Sequence, residues 1–241
     1  MKIEVKSSEE FERLLDALFD EIVNASIFFR LHRDLAGSTK DYLDEMNQSP
    51  AFWTLTLKAH FDAALIRLCR VYDKTRNALS LRNLLDTIQA NLYLFDTDSF
   101  KERLKENAFV DSLAKTARKP EAKQLAEDVS YVSEENPAVS KLILWRNKLY
   151  AHRDSLNVIQ KKRIAIEHPL TFGEVSNLIE NGATILNRYS SLFKAHTHST
   201  QLVGRDDYKY VLECLKRDLE RHKEERRAKV EWYGGEADVD Y

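Results

Sequence analysis

The run Trp145-Arg146-Asn147-Lys148-Leu149-Tyr150-Ala151-His152 places a permanently charged guanidinium six positions ahead of an imidazole. Histidine titrates near neutrality, so it can take or give a proton. Arginine keeps its charge and offers a planar fork to a phosphate. Together the two groups suit cleavage of an RNA phosphodiester. In that reaction the 2′-hydroxyl attacks the neighbouring phosphorus, a base removes its proton, and a cation stabilises charge on the phosphoryl oxygens. Neither a metal nor a cofactor is required. Asn147 can donate a hydrogen bond to a phosphate oxygen.

Geometry constrains this chemistry. Six residues on a regular helix rotate by roughly 240° and rise about 9 Å, so Arg146 and His152 do not share a face on an ideal helix. Either the helix gives way before His152, as Arg153-Asp154-Ser155 indicates, or the groups meet across a two-fold dimer with one composite cleft. The plain alternative is a surface arginine and a helix-terminal histidine favoured by the macrodipole. Asn147 and Asp154 then only bond the helix end.

The elements that must position these residues read as helices. Ser7 and Glu10 form a capping-box pattern ahead of Phe11, Leu14, Leu15, Leu18, Phe19 and Ile22, a stripe that fades before Gly37. A polar loop leads to Ser49-Pro50, which opens a second helix to about Tyr72. Ser80 caps a short helix through Ile88, and residues 96–127 hold one or two short peripheral helices. Asn136-Pro137 opens the helix that carries Arg146, with Leu149 and Tyr150 on its apolar face. Ile164 and Ile166 alternate with polar neighbours and predict a short extended segment to His168. Thr171 and Glu174 form another capping box before a helix through about Phe193. A final helix runs from about Asp207 to Lys229.

The expected architecture is therefore all-α, an up-and-down helical bundle with peripheral helices. Its expected parts are a bundle domain over 1–204, a charged C-terminal helix over 205–231 and a disordered acidic tail over 232–241. Composition agrees. Only 6 Gly and 4 Pro in 241 residues leave too few turns for a β-sandwich or a glycine-rich phosphate loop. A net charge of −2 makes any basic site a local one. No apolar stretch is long enough to span a bilayer, and Met1–Lys6 has no apolar signal core, which predicts a cytoplasmic chain without a membrane partner. Cys69 and Cys214 then read as buried thiols, not a disulfide.

Other clusters read as structural. His196-Thr197-His198 lacks further ligands nearby, so a polar loop is favoured over a metal site. Asp62 and Asp73 read first as solvated or salt-bridged carboxylates, and second as residues facing the cleft. The Arg217–Lys229 run interleaves Asp218, Glu220, Glu224 and Glu225, the mark of a solvated helix, with an RNA-contacting arm as the alternative. Trp53 and Trp145 are core or interface candidates.

The segment Arg146-Asn147-Lys148-Leu149-Tyr150-Ala151-His152 resembles the R-x(4–6)-H signature of the HEPN superfamily, small helical bundles that include many RNases. The polar Asn147 directly after the arginine is also usual there. The second helix, Phe61 to Asp73, followed by Ser80-Leu81-Arg82-Asn83-Leu84-Leu85, resembles the long helix before a short one in the AbiU-type abortive-infection branch. The resemblance covers roughly Phe11 to Leu192. It implies a metal-independent endoribonuclease, acting on RNA as a homodimer, often as a toxin with an antitoxin protein or in antiphage defence, without a cofactor. By this resemblance Arg146 stabilises the phosphate, Asn147 positions it, and His152 is general base or acid. Some members are non-catalytic binding modules, so a helical interaction module for a partner protein or nucleotide is the competing expectation. A structural role with the last helix as docking element is the third.

Overall fold

The computed structural model describes residues 2–150, 164–201 and 206–234. Among these residues there is helix and no strand. The order is α1 (Ser8–Ser38), α2 (Leu43–Met46), α3 (Pro50–Val71), α4 (Leu81–Ala90), a 3-10 turn (Leu92–Phe95), α5 (Thr97–Arg103), α6 (Val110–Leu113), α7 (Ala122–Tyr131), α8 (Pro137–Trp145), a π turn (Arg146–Tyr150), α9 (Ile164–Glu167), α10 (Phe172–Lys194) and α11 (Asp207–Gly234).

Local capping chemistry sets most helix starts. Ser80 Oγ accepts from Asn83 N, and Asn136 Oδ1 accepts from Ala138 N with Pro137 in the first turn. Thr171 and Glu174 form a complete capping box. At α1 the box is displaced by one residue: Ser7 Oγ accepts from Glu10 N, while Glu10 returns to the N–H of Lys6. Several expectations are corrected. α1 continues through Gly37 to Ser38, and a short helix occupies part of the loop before Ser49. Residues 164–167 are a helical turn, closed by His168 N on Ile164 O at 2.8 Å. Two isoleucines two apart fit a strand or a single helical turn, and the hydrogen bond decides. The last helix reaches Gly234, so residues 232–234 are helical, not part of a disordered tail.

Contacts divide the chain into two compact units with other borders than composition draws. The first comprises Met1–Phe28 and Asp62–Gln201. Phe11, Leu15, Phe19 and Ile22 of α1, Leu65 and Leu68 of α3, Leu84 and Ile88 of α4, and Leu178, Leu186 and Phe193 of α10 are all buried there. Phe11 meets Phe193 at 4.8 Å between ring centroids and Phe95 at 5.7 Å. At Gly182 α10 comes so close to α1 and α3 that a Cβ would lie 2.7 Å from Ile22 Cδ1 and 3.3 Å from Tyr72 Oη. The Tyr72 hydroxyl donates to Leu178 O at 2.7 Å beside it. These contacts fix the C-terminal end of α3.

The second unit comprises Phe29–Phe61 and Leu202–Tyr241. Its core is Leu35, Met46, Trp53 and Leu212, with Tyr42, Leu57, Tyr208 and Leu215 packed against it. Past Leu219, the side chains of α11 that are described are exposed through Val230. Arg221 pairs with Asp218 and His222 lies 3.4 Å from Asp218, as a solvated helix allows. Among the described residues no helix is long and apolar enough to cross a membrane.

Candidate functional site

The sequence places Arg146 near the end of a helix, and the structure shows how that end is made. α8 is anchored on three sides. Val139 and Leu142 are fully buried, Lys141 Nζ pairs with Glu174 of α10 at 2.6 Å, and the Trp145 indole donates to His168 O at 2.8 Å. Regular α winding stops at Trp145. Arg146–Tyr150 then forms a π turn, in which each revolution takes up more residues and the side chains leave the α-helical register. Such turns are frequent at functional sites. The helix therefore changes its winding within the Arg146–His152 run itself, before His152 is reached.

Arg146 is half-buried, its side chain 28% exposed, and Nη2 lies 2.8 Å from Asp73 Oδ2, whose own side chain is only 12% exposed. The other carboxylate oxygen, Oδ1, accepts from Thr75 N at 2.8 Å and from Thr75 Oγ1 at 2.7 Å. At the far end of the π turn, the half-buried Tyr150 hydroxyl donates to Asp62 Oδ1 at 3.1 Å. Burial pushes the Tyr150 hydroxyl well above its ordinary range, and the Asp62 carboxylate adds to the shift. The phenol therefore stays protonated and stays a donor. Between these pairs sits Cys69, buried, its Sγ 3.8 Å from Leu142 O. Burial pushes that thiol up to about 12, the Arg146 charge opposes the rise, and Asp73 adds to it. Cys69 is a protonated, inert thiol at neutral pH.

Of the three sequence-predicted site residues, Arg146 is half-buried and ion-paired, and Asn147 is exposed beside it. His152 lies within residues 151–163, outside the described residues, as does Asp154. Asp73 is salt-bridged as first read, and its partner is Arg146. Asp62 also meets the π turn. Tyr150 reads as apolar from helical spacing, yet its hydroxyl is the polar contact at that end. The two histidines near residue 197 lie in irregular chain, and among the described residues no group of three or more His, Cys, Asp or Glu is placed to hold a metal ion. Both cysteines are free, with Cys214 half-buried, not buried.

An all-α chain that ends a core helix in an arginine-bearing turn, with a polar residue after the arginine and a histidine six positions on, has the features of a HEPN-type protein. The HEPN_AbiU2 family model, AbiU2, matches residues 8–213, so the chain belongs to the AbiU2 family. No curated protein and no solved structure gives a significant match.

Proposed function

We propose that this chain is a metal-independent endoribonuclease of HEPN type, acting as a homodimer in a toxin or antiphage defence system, with an antitoxin protein as a partner. The observation that carries the reading is the presentation of Arg146 on a π turn at the end of α8, held by a nearly buried carboxylate, in a chain of the AbiU2 family.

The chemistry follows from the groups. His152 takes the proton of the 2′-hydroxyl as its oxygen attacks phosphorus, or gives a proton to the departing 5′-oxygen. The new P–O2′ bond forms as P–O5′ breaks, leaving a 2′,3′-cyclic phosphate and a free 5′-hydroxyl. Arg146 stabilises the charge that gathers on the phosphoryl oxygens. Asn147, exposed next to it, supplies a neutral donor to the same phosphate. Two copies of the segment around one two-fold axis line a single groove.

The test is incubation of the purified protein with single-stranded RNA in EDTA. Cleavage leaving 2′,3′-cyclic phosphate ends is expected, and His152→Ala should lower its rate by about 100-fold or more while the far-UV circular dichroism is unchanged. Cleavage by the variant at the parent's rate would remove His152 from the mechanism. Binding of RNA without cleavage by the parent would favour the interaction module instead.

A further inference from the structure

Asp73 breaks a local rule. It lies two residues past the end of α3, where the helix dipole disfavours a carboxylate. It is also nearly buried, at 12% exposure. A carboxylate in that place needs a cation, and α3 itself carries several nearby. Those are engaged elsewhere, Arg67 and Arg70 with Glu21 at 3.1 and 3.3 Å, and Lys74, next to Asp73 in the chain, pairs with Glu134. Asp73 instead takes the guanidinium of another element, Arg146 of the π turn. Its orientation is fixed beforehand, because both donors of Thr75 hold Oδ1 and leave Oδ2 to Arg146.

The contact fixes Arg146 in a particular way. An ion pair at 2.8 Å from Nη2 to an immobilised oxygen restricts where the guanidinium can sit. Asp62 lies on α3, and Asp73 lies on the same chain segment two residues past the end of that helix. One meets the first residue of the π turn and the other the last. The turn is thus met at both ends by one chain segment, α3 and the residues just after it. The same carboxylate lowers the net positive potential at Arg146, so it weakens rather than strengthens attraction for an RNA phosphate in the ground state.

We propose that Asp73 is a positioning residue for the RNA cleavage assigned above, holding the Arg146 guanidinium in place against the reacting phosphate at the expense of RNA affinity. The inference rests on the proposed function and adds a residue to it. It predicts a split: Asp73 contributes to turnover and opposes binding.

The experiment compares the full-length parent with Asp73→Asn, Asp73→Glu and Asp111→Asn. Asp111 pairs with Lys101 on the exposed surface and is the control. Single-turnover cleavage of a single-stranded RNA is measured in EDTA. Affinity is measured with the 2′-O-methyl RNA of the same sequence, which lacks the nucleophile. Asp73→Asn should cut about 10- to 100-fold more slowly, as misplacement of a reacting group does, with 2′-O-methyl RNA bound as tightly as by the parent or more tightly. Asp73→Glu should recover part of the rate, and Asp111→Asn should match the parent. In ¹⁵N-arginine-labelled protein, the side-chain resonances assigned to Arg146 through Arg146→Lys should be sharp and dispersed in the parent and averaged in Asp73→Asn. Parent-like cleavage by Asp73→Asn, or equal losses of rate and affinity, overturns the proposal. If the parent leaves RNA uncut, the proposed function falls, and the arginine resonances alone decide whether Asp73 fixes Arg146: unchanged signals in Asp73→Asn overturn that too.

Discussion

Two places in the first unit combine aspartate, arginine and tyrosine, and they do so differently. In one, Asp128 of α7 accepts from Arg188 Nη1 and from the Tyr189 hydroxyl, the latter at 2.7 Å. Arg188 and Tyr189 are neighbours on the regular helix α10, and one carboxylate, its side chain 6% exposed, serves both. In the other, Arg146 and Tyr150 stand at opposite ends of a π turn, and each has its own carboxylate, Asp73 and Asp62. The first arrangement is a fastener between two helices. The second fixes an irregular turn while leaving 28% of the arginine side chain accessible. Similar side chains thus serve packing on a regular helix and presentation on an irregular one.

Substitutions can separate these roles. Asp128→Asn should have the largest effect on stability, about 3 kcal/mol, because it leaves Arg188 uncompensated in a mostly buried place. Urea unfolding reads this loss, and under the proposed function the RNA-cleavage rate per folded molecule should not change. A rate loss beyond the unfolded fraction would erase the distinction between the clusters. Tyr189→Phe comes next, at about 2 kcal/mol, since it removes a hydrogen bond to a buried carboxylate. Tyr150→Phe removes a longer bond at a half-buried site and should cost about 1 kcal/mol or less in the same unfolding series. The reverse order would mean that the π turn, not the α7–α10 fastener, carries the stability.

The smallest effect lies outside both clusters. His198 stacks on Phe19 at 4.1 Å between ring centroids, and its buried Nε2 has no hydrogen-bond partner among the described residues. Burial, then the nearby His196 and Lys194, lowers its pKa below the ordinary value. Burial lowers His60 as well. A histidine depressed in the folded state binds its proton more readily once unfolded. The stabilisation is therefore complete above the unfolded pKa of about 6.5 and is lost as pH falls through the folded value. Thermal midpoints should decline modestly below that pH, and His198→Gln should flatten part of the decline. An unaltered profile in His198→Gln would shift the acid response onto other groups.

The capped helix starts were legible in the sequence because the partners are local: Ser80, Asn136-Pro137 and Thr171 with Glu174 each bond within three residues. The Arg146 segment was legible as a site for the same reason, as a motif within one helix. Its geometry was not. The π turn and the residue before it meet Asp73, Asp62 and His168, which come from remote parts of the chain. Periodicity places Tyr150 on an apolar face because it counts rings and not hydroxyls. The spacing at Ile164–Glu167 suits a strand as well as a turn, because four residues cannot distinguish a period of two from one of 3.6.

The protonated thiol under the π turn gives the molecule its own chemical clock. Cys69 is 6% exposed and pushed up to about 12 by burial, so an alkylating reagent at neutral pH reaches a thiolate there only when the seam between α3 and α8 opens. Half-buried Cys214, in the other unit, offers a second thiol within the same polypeptide as an internal reference. The ratio of the two labelling rates would time the breathing of the wall behind Arg146, without any added probe.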